Sequence, residues 1–260
     1  MKYISLSFDD ARSDTFEYAL PIINKYGLTA TVNVISDYVI NPQKYCFPSA
    51  PYAMKKEQIL MWQKNGHEVA CHGSTHTNSS EDIIKNIKEL QDFGVDINNI
   101  GFASPESWLT VENIARTGID ELKKNGVISY IRTGIQIRRE GVLYTTLSAL
   151  EKLCHSKRLY YKLNKKCIIN DFDSSNIILS AAIKDYTHVG QIKYFVDMMK
   201  DSQGIILMFH SILPQENDYY GSDHYYWSIN RFEELCKWLS EGENIKVLTT
   251  YDLLYRKDRK

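Results

Sequence analysis

The chain has 260 residues, 31 lysines and arginines against 32 aspartates and glutamates, and no dense run of either sign. That length fits one α/β domain with a single large core, so residues 1–260 are read as one domain. The charge balance argues against a nucleic acid or an anionic membrane surface as partner, and no segment approaches the length of a membrane span. Five scattered cysteines contain no C-x-x-C pair and do not form a disulfide framework. The opening "MKYISLSFDD" has an apolar run too short for a signal peptide, which together with the cysteines points to a cytoplasmic location.

In chain order, the first predicted strand is Tyr3–Phe8, an apolar run that ends in two adjacent carboxylates, Asp9 and Asp10. Successive strand residues point to opposite faces, so neighbouring aspartates aim at one site only where the strand ends and the backbone turns. Ser13 and Asp14 then offer caps for a helix over Thr15–Lys25. Further strands are predicted at Thr29–Ile35, His67–Cys71, Ile100–Ala103, Val127–Arg132, Ile205–His210 and Lys246–Thr249. Helices are predicted at Lys55–Asn65, Ser80–Phe93, Val111–Asn125, His188–Lys200 and Arg231–Glu241. Several stop at a glycine, at Gly27, Gly66, Gly126 and Gly242, as helices ending in a left-handed residue do. Between Gly134 and Thr187, "SALEKLCHSKRLYYKL" reads as helical and "KCIINDF" as another strand. About seven strands alternating with helices is compatible with a barrel or with an open doubly wound sheet; in both, ligands gather at the strands' carboxyl ends.

The second informative segment is "NGHEVACHGSTHTN", residues 65–78. Its His72 and His76 are four apart, a spacing that on a helical turn puts two imidazoles on one face. Alone, such a pair is ordinary in a surface loop. With Asp10 it makes two nitrogens and one oxygen, a ligand set that suits Zn2+ and leaves a position for water. A hydrolytic site also needs a base and an acid. Asp9, beside the ligand Asp10, is placed for the base, and a nearby cation would keep it ionised. His210, closing the apolar run "GIILMFH", is the candidate acid, although a histidine closing a buried strand is more often a core residue. Cys71 is most simply a small buried residue.

These segments, in this order, resemble the polysaccharide deacetylase family, the NodB-homology carbohydrate esterases. "SFDDARSDT" is similar to the family's first motif, T-F-D-D-G-P followed by a threonine, and "GHEVACHGSTH" to the second, G-H-E-[VI]-x-x-H-[ST]-x-x-H. "GFASPESW" stands in the place of the third, R-x-P-[YF], and "IILMFH" in that of the last. The resemblance implies a distorted (β/α) barrel of about seven parallel strands and a metal-dependent hydrolase that removes an N-acetyl group from an amino sugar in a glycan, oligosaccharide or sugar conjugate. It further implies Asp9 as base, Asp10, His72 and His76 as metal ligands, His210 as acid, and a backbone N–H near Glu106 as an oxyanion donor.

The departures are local. Ala11 and Arg12 replace the glycine and proline of the first motif, and Gly73 stands where serine or threonine is usual. Ala103 replaces the third-motif arginine that pairs with the catalytic aspartate, and Glu106 replaces an aromatic wall residue. Arg132, closing "ISYIR", is the first candidate to supply the missing guanidinium, and Arg12 the second. Trp108 is a candidate to stack on a sugar face, and His224, Tyr225, Tyr226 and Trp227 to form a substrate-facing loop. Asp171 and Asp173 are candidates to orient His210. Two other readings stand beside the deacetylase: another C–N hydrolase such as a deformylase or a cyclic-amide hydrolase, and a carbohydrate-binding relative that has lost turnover.

Overall fold

The structure is a computed structural model that describes residues 1–136, 140–170, 172 and 177–255. Its strands are β1 (Lys2–Phe8), β2 (Thr31–Val34), β3 (Glu68–Cys71), β4 (Phe102–Ala103), β5 (Ile131–Gly134), β6 (Ile178–Ala182), β7 (Gly204–Phe209), β8 (Ser211–Leu213), β9 (Tyr226–Ser228) and β10 (Ile245–Leu248). From β1 to β7 each strand pairs in parallel with the next, and β7 returns to β1 from Tyr3↔Gly204 to Phe8↔Phe209, closing a seven-stranded barrel. The ring is uneven. Strand β4 pairs with β3 through Cys71↔Phe102 alone. On the edge of β1 away from β7, β10 takes Lys2–Ser5 while β2 takes only Ser7 and Phe8.

Parallel strands covered on both faces read as continuous apolar runs, and β7 (GIILMF), buried throughout, does so. Between the ring and the helix Ile229–Glu241 lies an aromatic cluster in which Phe8 packs 5.3 Å from Phe209, 5.7 Å from Phe232 and 6.0 Å from Trp62. The helix Ser80–Phe93 starts where Ser79 accepts the Asp82 N–H and stops at Gly94, with φ 94°. Among the described residues no helix is long and apolar enough to cross a membrane.

Several local expectations are corrected. The seventh ring strand is β6, "ILSAA", and the predicted strand at Lys246–Thr249 forms as β10 beside the ring. "KCIINDF" forms no strand over its described residues; Ile169 makes one isolated antiparallel bridge to Gly204, and Asp171 and Asp173 lie outside the described residues. The single helix expected over Val111–Asn125 is a 3-10 turn, Ile114–Arg116, then Ile119–Lys124, interrupted at Gly118 with φ 70°. Asp14 caps nothing, because its Oδ1 accepts the Ile212 N–H at 2.8 Å instead. Gly27, Gly66 and Gly126 are left-handed helix ends as expected, whereas Gly242 has φ −77° and is not.

Candidate active site

Past Phe8 the Asp9 N–H still donates to Phe209 O at 2.9 Å, and then the chain leaves the ladder. Asp10 and Ala11 follow with φ of 74° and 55°. Two consecutive non-glycine residues in the left-handed region cost about 1–2 kcal/mol each, and the turn they make carries both carboxylates to the carboxyl rim of the barrel. Both are buried, Asp9 at 3% exposed and Asp10 at 2%.

Each carboxylate has its own arginine. The Arg132 guanidinium, on β5, pairs with Asp9 Oδ1 through Nη2, while its Nη1 lies 3.1 Å from Ser180 Oγ and 2.7 Å from Met208 Sδ. Asn33 Nδ2 donates to the same Asp9 oxygen at 2.8 Å. Burial pushes the Asp9 carboxyl up, but Arg132 and the nearby histidines outweigh it and hold Asp9 below the usual carboxylate range. Arg12 places Nε at 2.8 Å and Nη2 at 2.7 Å from Asp10 Oδ2. Its Nη1 donates to Ser49 Oγ at 2.9 Å and Ser211 Oγ at 3.0 Å. Here too the arginine overrides burial, and Asp10 sits well below the ordinary value. Both candidate arginines are therefore engaged, Arg132 with Asp9 and Arg12 with Asp10.

The histidines arrive from β3. His72 Nδ1 lies 2.9 Å from the Ala103 carbonyl, so it carries the proton and leaves the Nε2 lone pair free. That Nε2 is 3.4 Å from Asp10 Oδ1 and 4.0 Å from Asp9 Oδ2, and His76 Nε2 is 3.7 Å from Asp10 Oδ1. Residues 72–76 do not form the helical turn expected. Gly73 (φ 78°) and His76 (φ 60°) are left-handed, and Asp82 folds the loop by accepting the Thr75 and Thr77 N–H groups and the Thr75 hydroxyl. A Cβ on Gly73 would stand 2.6 Å from Asp82 Oδ2, which is why serine or threonine does not fit there in this chain.

The donor atoms of Asp10, His72 and His76 lie within 4.8 Å of one another. Arg12 holds Asp10 Oδ2 and leaves Oδ1 facing the imidazoles, so one carboxylate oxygen and two ring nitrogens converge, a set that fits a divalent cation. These residues open into a cleft of about 740 Å3 whose walls include Phe47, Glu106, Gln136, Lys184, His210, Asp223 and Tyr225. His210 has Nδ1 buried with no hydrogen-bond partner among the described residues, and burial pulls its imidazole down to about 4. The Tyr225 ring packs 4.9 Å from it.

Glu106, left-handed with φ 54°, lines the cleft. Trp108 does not line it, being 37% exposed outside. Of the "HYYW" stretch only Tyr225 faces the cleft; Trp227 is buried with its Nε1 donating to Thr187 O, and His224 pairs with Asp185. Cys71 is fully buried. Sequence reasoning missed Asn33, Ser180 and Met208 around the Asp9 pair, and Asp82 beneath the histidine loop. Asn33 did leave a signal, an amide between two valines in the fully buried strand "TVNV".

Fold and site together define a closed, distorted (β/α) barrel of the NodB type with an Asp/His/His cluster and a second buried aspartate at its carboxyl rim. The chain resembles the polysaccharide deacetylase family, whose family model matches residues 1–113. No curated protein matches it in sequence. The Xyl-CE4 domain of a multidomain xylanase from the hindgut metagenome of Trinervitermes trinervoides shares the fold with a TM-score of 0.50 at 18% identity, over 97% of this chain and 89% of that one. A family 4 acetyl xylan esterase from Clostridium thermocellum, solved with a cobalt ion, gives 0.51 at 14% identity over 96% and 89%. A mutant of a CE4 family pseudoenzyme with restored enzymatic activity gives 0.51 at 12% identity over 97% and 67%.

Proposed function

We propose that residues 1–260 form one catalytic domain, a metal-dependent N-deacetylase acting on an amino sugar in a glycan, oligosaccharide or sugar conjugate. The observation that carries this reading is the separation of tasks at the end of β1. Asp10 turns one oxygen toward His72 and His76, while Asp9, held by Arg132 and Asn33, keeps its Oδ2 on the same side of the cleft. A domain that only bound carbohydrate would need neither a second buried carboxylate nor His210 beside it.

In this reading Asp10, His72 and His76 hold a divalent cation, Zn2+ by their donor types, and the chemistry it supplies is Lewis-acid polarisation of the amide carbonyl. Asp9 accepts a proton from the attacking water, and Arg132 keeps it ionised for that task. His210 gives a proton to the departing nitrogen. A backbone N–H near Glu106 donates to the developing oxyanion, and Phe47 and Tyr225 shape the cleft in place of Trp108. Arg132 takes the role of the arginine missing at Ala103. Five free cysteines, Cys46 and Cys154 of them exposed, favour a cytoplasmic setting.

The test is acetate release from chitooligosaccharides and N-acetylated sugar conjugates by zinc-loaded protein, with Asp9→Asn as control. Release that Asp9→Asn abolishes supports the reading. Formate or ring-opened product from an amide panel, without acetate, replaces it with the deformylase or cyclic-amide reading. Sugar binding with no hydrolysis replaces it with the binding protein.

A further inference from the structure

Past β6 the chain continues through Ile183 to Lys184, which lines the same cleft as Asp9, Asp10 and His210. The Lys184 ammonium lies 5.2 Å from the centroid of the Tyr225 ring, and that ring packs 4.9 Å from His210. These two contacts laid end to end limit the distance from Lys184 to the candidate acid, a span that one pyranose and its substituents would bridge.

Lys184 forms no ion pair within 4.0 Å among the described residues. Its sequence neighbour Asp185 turns Oδ2 to His224 Nδ1 at 3.0 Å. The cleft carboxylates are mostly committed elsewhere: Asp9 to Arg132, Asp10 to Arg12, and Asp223 to Ser49 Oγ at 2.8 Å and the Tyr225 N–H at 2.6 Å. Lys152 adds like charge, with Nζ 3.2 Å from His224 Nε2. Burial and the Lys152 charge both hold the Lys184 amine below its ordinary value, against a weaker pull from Asp185. A half-buried ammonium without an ion-pair partner, facing a catalytic cleft, is costly to maintain unless something else meets it there.

We propose that Lys184 anchors an anionic group of the substrate, so that the amino sugar deacetylated here carries a carboxylate or a phosphate near its acetamido group. The inference rests on the deacetylase reading. Tyr225 holds the ammonium over its face when no anion is bound and offers the same ring as a wall for the sugar.

The test compares three zinc-loaded proteins, wild type, Lys184→Met and Lys184→Arg. The substrates are a neutral N-acetylglucosamine oligomer, N-acetylglucosamine 1-phosphate, and an N-acetylated amino sugar bearing a carboxylate. The expected result is that wild type prefers one or both anionic sugars over the neutral one by tenfold or more in kcat/KM. Lys184→Met lowers that ratio at least tenfold, mainly through KM, and Lys184→Arg keeps most of it. The favoured anionic arm tells phosphate from carboxylate. A Lys184→Met protein that folds as wild type and loses neutral and anionic turnover equally overturns the proposal, as does a wild type with no anionic preference. Saturation-transfer NMR of the same sugars reads the site without turnover. Binding of an anionic sugar that Lys184→Met removes, in a protein releasing no acetate, keeps the anion site and rejects the deacetylase. Binding that is indifferent to Lys184 rejects the anion site.

Discussion

Asp9 and Asp10 are neighbours in sequence, equally buried, and each bound to an arginine, yet the two pairs are built in opposite ways. Asp9 is held by Arg132 from across the barrel on β5 and by Asn33 on the neighbouring strand β2, both on Oδ1. Asp10 is held from within its own turn, by Arg12 two residues on, through Oδ2. In both cases one oxygen is fixed and the other is presented to the site. The long-range pair makes the Asp9 position a consequence of barrel closure, whereas the Asp10 position depends on a turn and on the loop that carries Ser49. A third carboxylate sharpens the contrast. Glu68, at the opposite end of the barrel on β3, accepts from Thr31 Oγ1 at 2.8 Å, the Tyr130 hydroxyl at 2.7 Å and the Tyr251 N–H at 2.9 Å, but has no arginine. Burial there outweighs those neutral donors and pushes Glu68 up to about 7, the reverse of what happens at Asp9 and Asp10.

The largest expected effect is on Asp9 itself. Asp9→Asn should cut acetate release by about 10²–10⁴-fold, the usual worth of a general base, while circular dichroism and zinc content stay unchanged. Arg132→Met comes next, because it leaves the buried Asp9 without its arginine and with Asn33 as its remaining side-chain hydrogen-bond donor among the described residues. It should lose activity and about 3–5 kcal/mol of stability in urea titration, and Arg132→Lys should recover only part of either, since an ammonium lacks the guanidinium fork. An Arg132→Met protein as stable as wild type would show that the cross-barrel pair does not hold Asp9. Arg12→Met should be milder in stability, because a bound cation can compensate Asp10, and should weaken zinc affinity by about 10–100-fold in a competition titration, as loss of a ligand's hydrogen-bond partner does.

The smallest effect concerns Glu68 and pH. Its folded value of about 7 exceeds the ordinary 4.5, so between those limits the folded state keeps a proton that the unfolded chain has lost. The stability this gives is fully present below about 4.5 and falls as pH rises toward 7, by at most about 3 kcal/mol. Unfolding midpoints of wild type and Glu68→Gln measured from pH 4.5 to 8 should therefore diverge, with the wild type losing relative stability as pH rises. Parallel curves would remove the contrast with the arginine-held pair.

Much of the site was legible because its ligands sit at strand ends within short motifs, where an apolar run stopping at a polar residue marks the rim. What was harder to read depended on distance or on backbone sign. Arg132 closes a predicted strand, but its partner lies 123 positions away across the barrel, and only closure brings them together. The four-residue spacing of His72 and His76 satisfied a helical turn and a left-handed bend alike; Gly73 and Asp82 decide for the bend. Strand β6 escaped because "ILSAA" is rich in small residues and lacks the β-branched run that marked its neighbours. In "HYYW" four neighbouring rings look alike as candidates, and only Tyr225 faces the cleft.

The unequal pairing around β1 has a kinetic corollary. That strand is bonded along one edge to β7 and along the other to β10 and then β2, whereas His76 and Phe47 lie on loops outside the ladder. Amide protons along Ile4–Ser7 should consequently exchange with deuterium only on global opening, and those around Phe47 and His76 far sooner. Asp9, whose N–H makes the last bond of that ladder, is thus mounted on the part expected to open last, while His76 and the Phe47 wall of the cleft open sooner and give ligands a way in that leaves Asp9 in place.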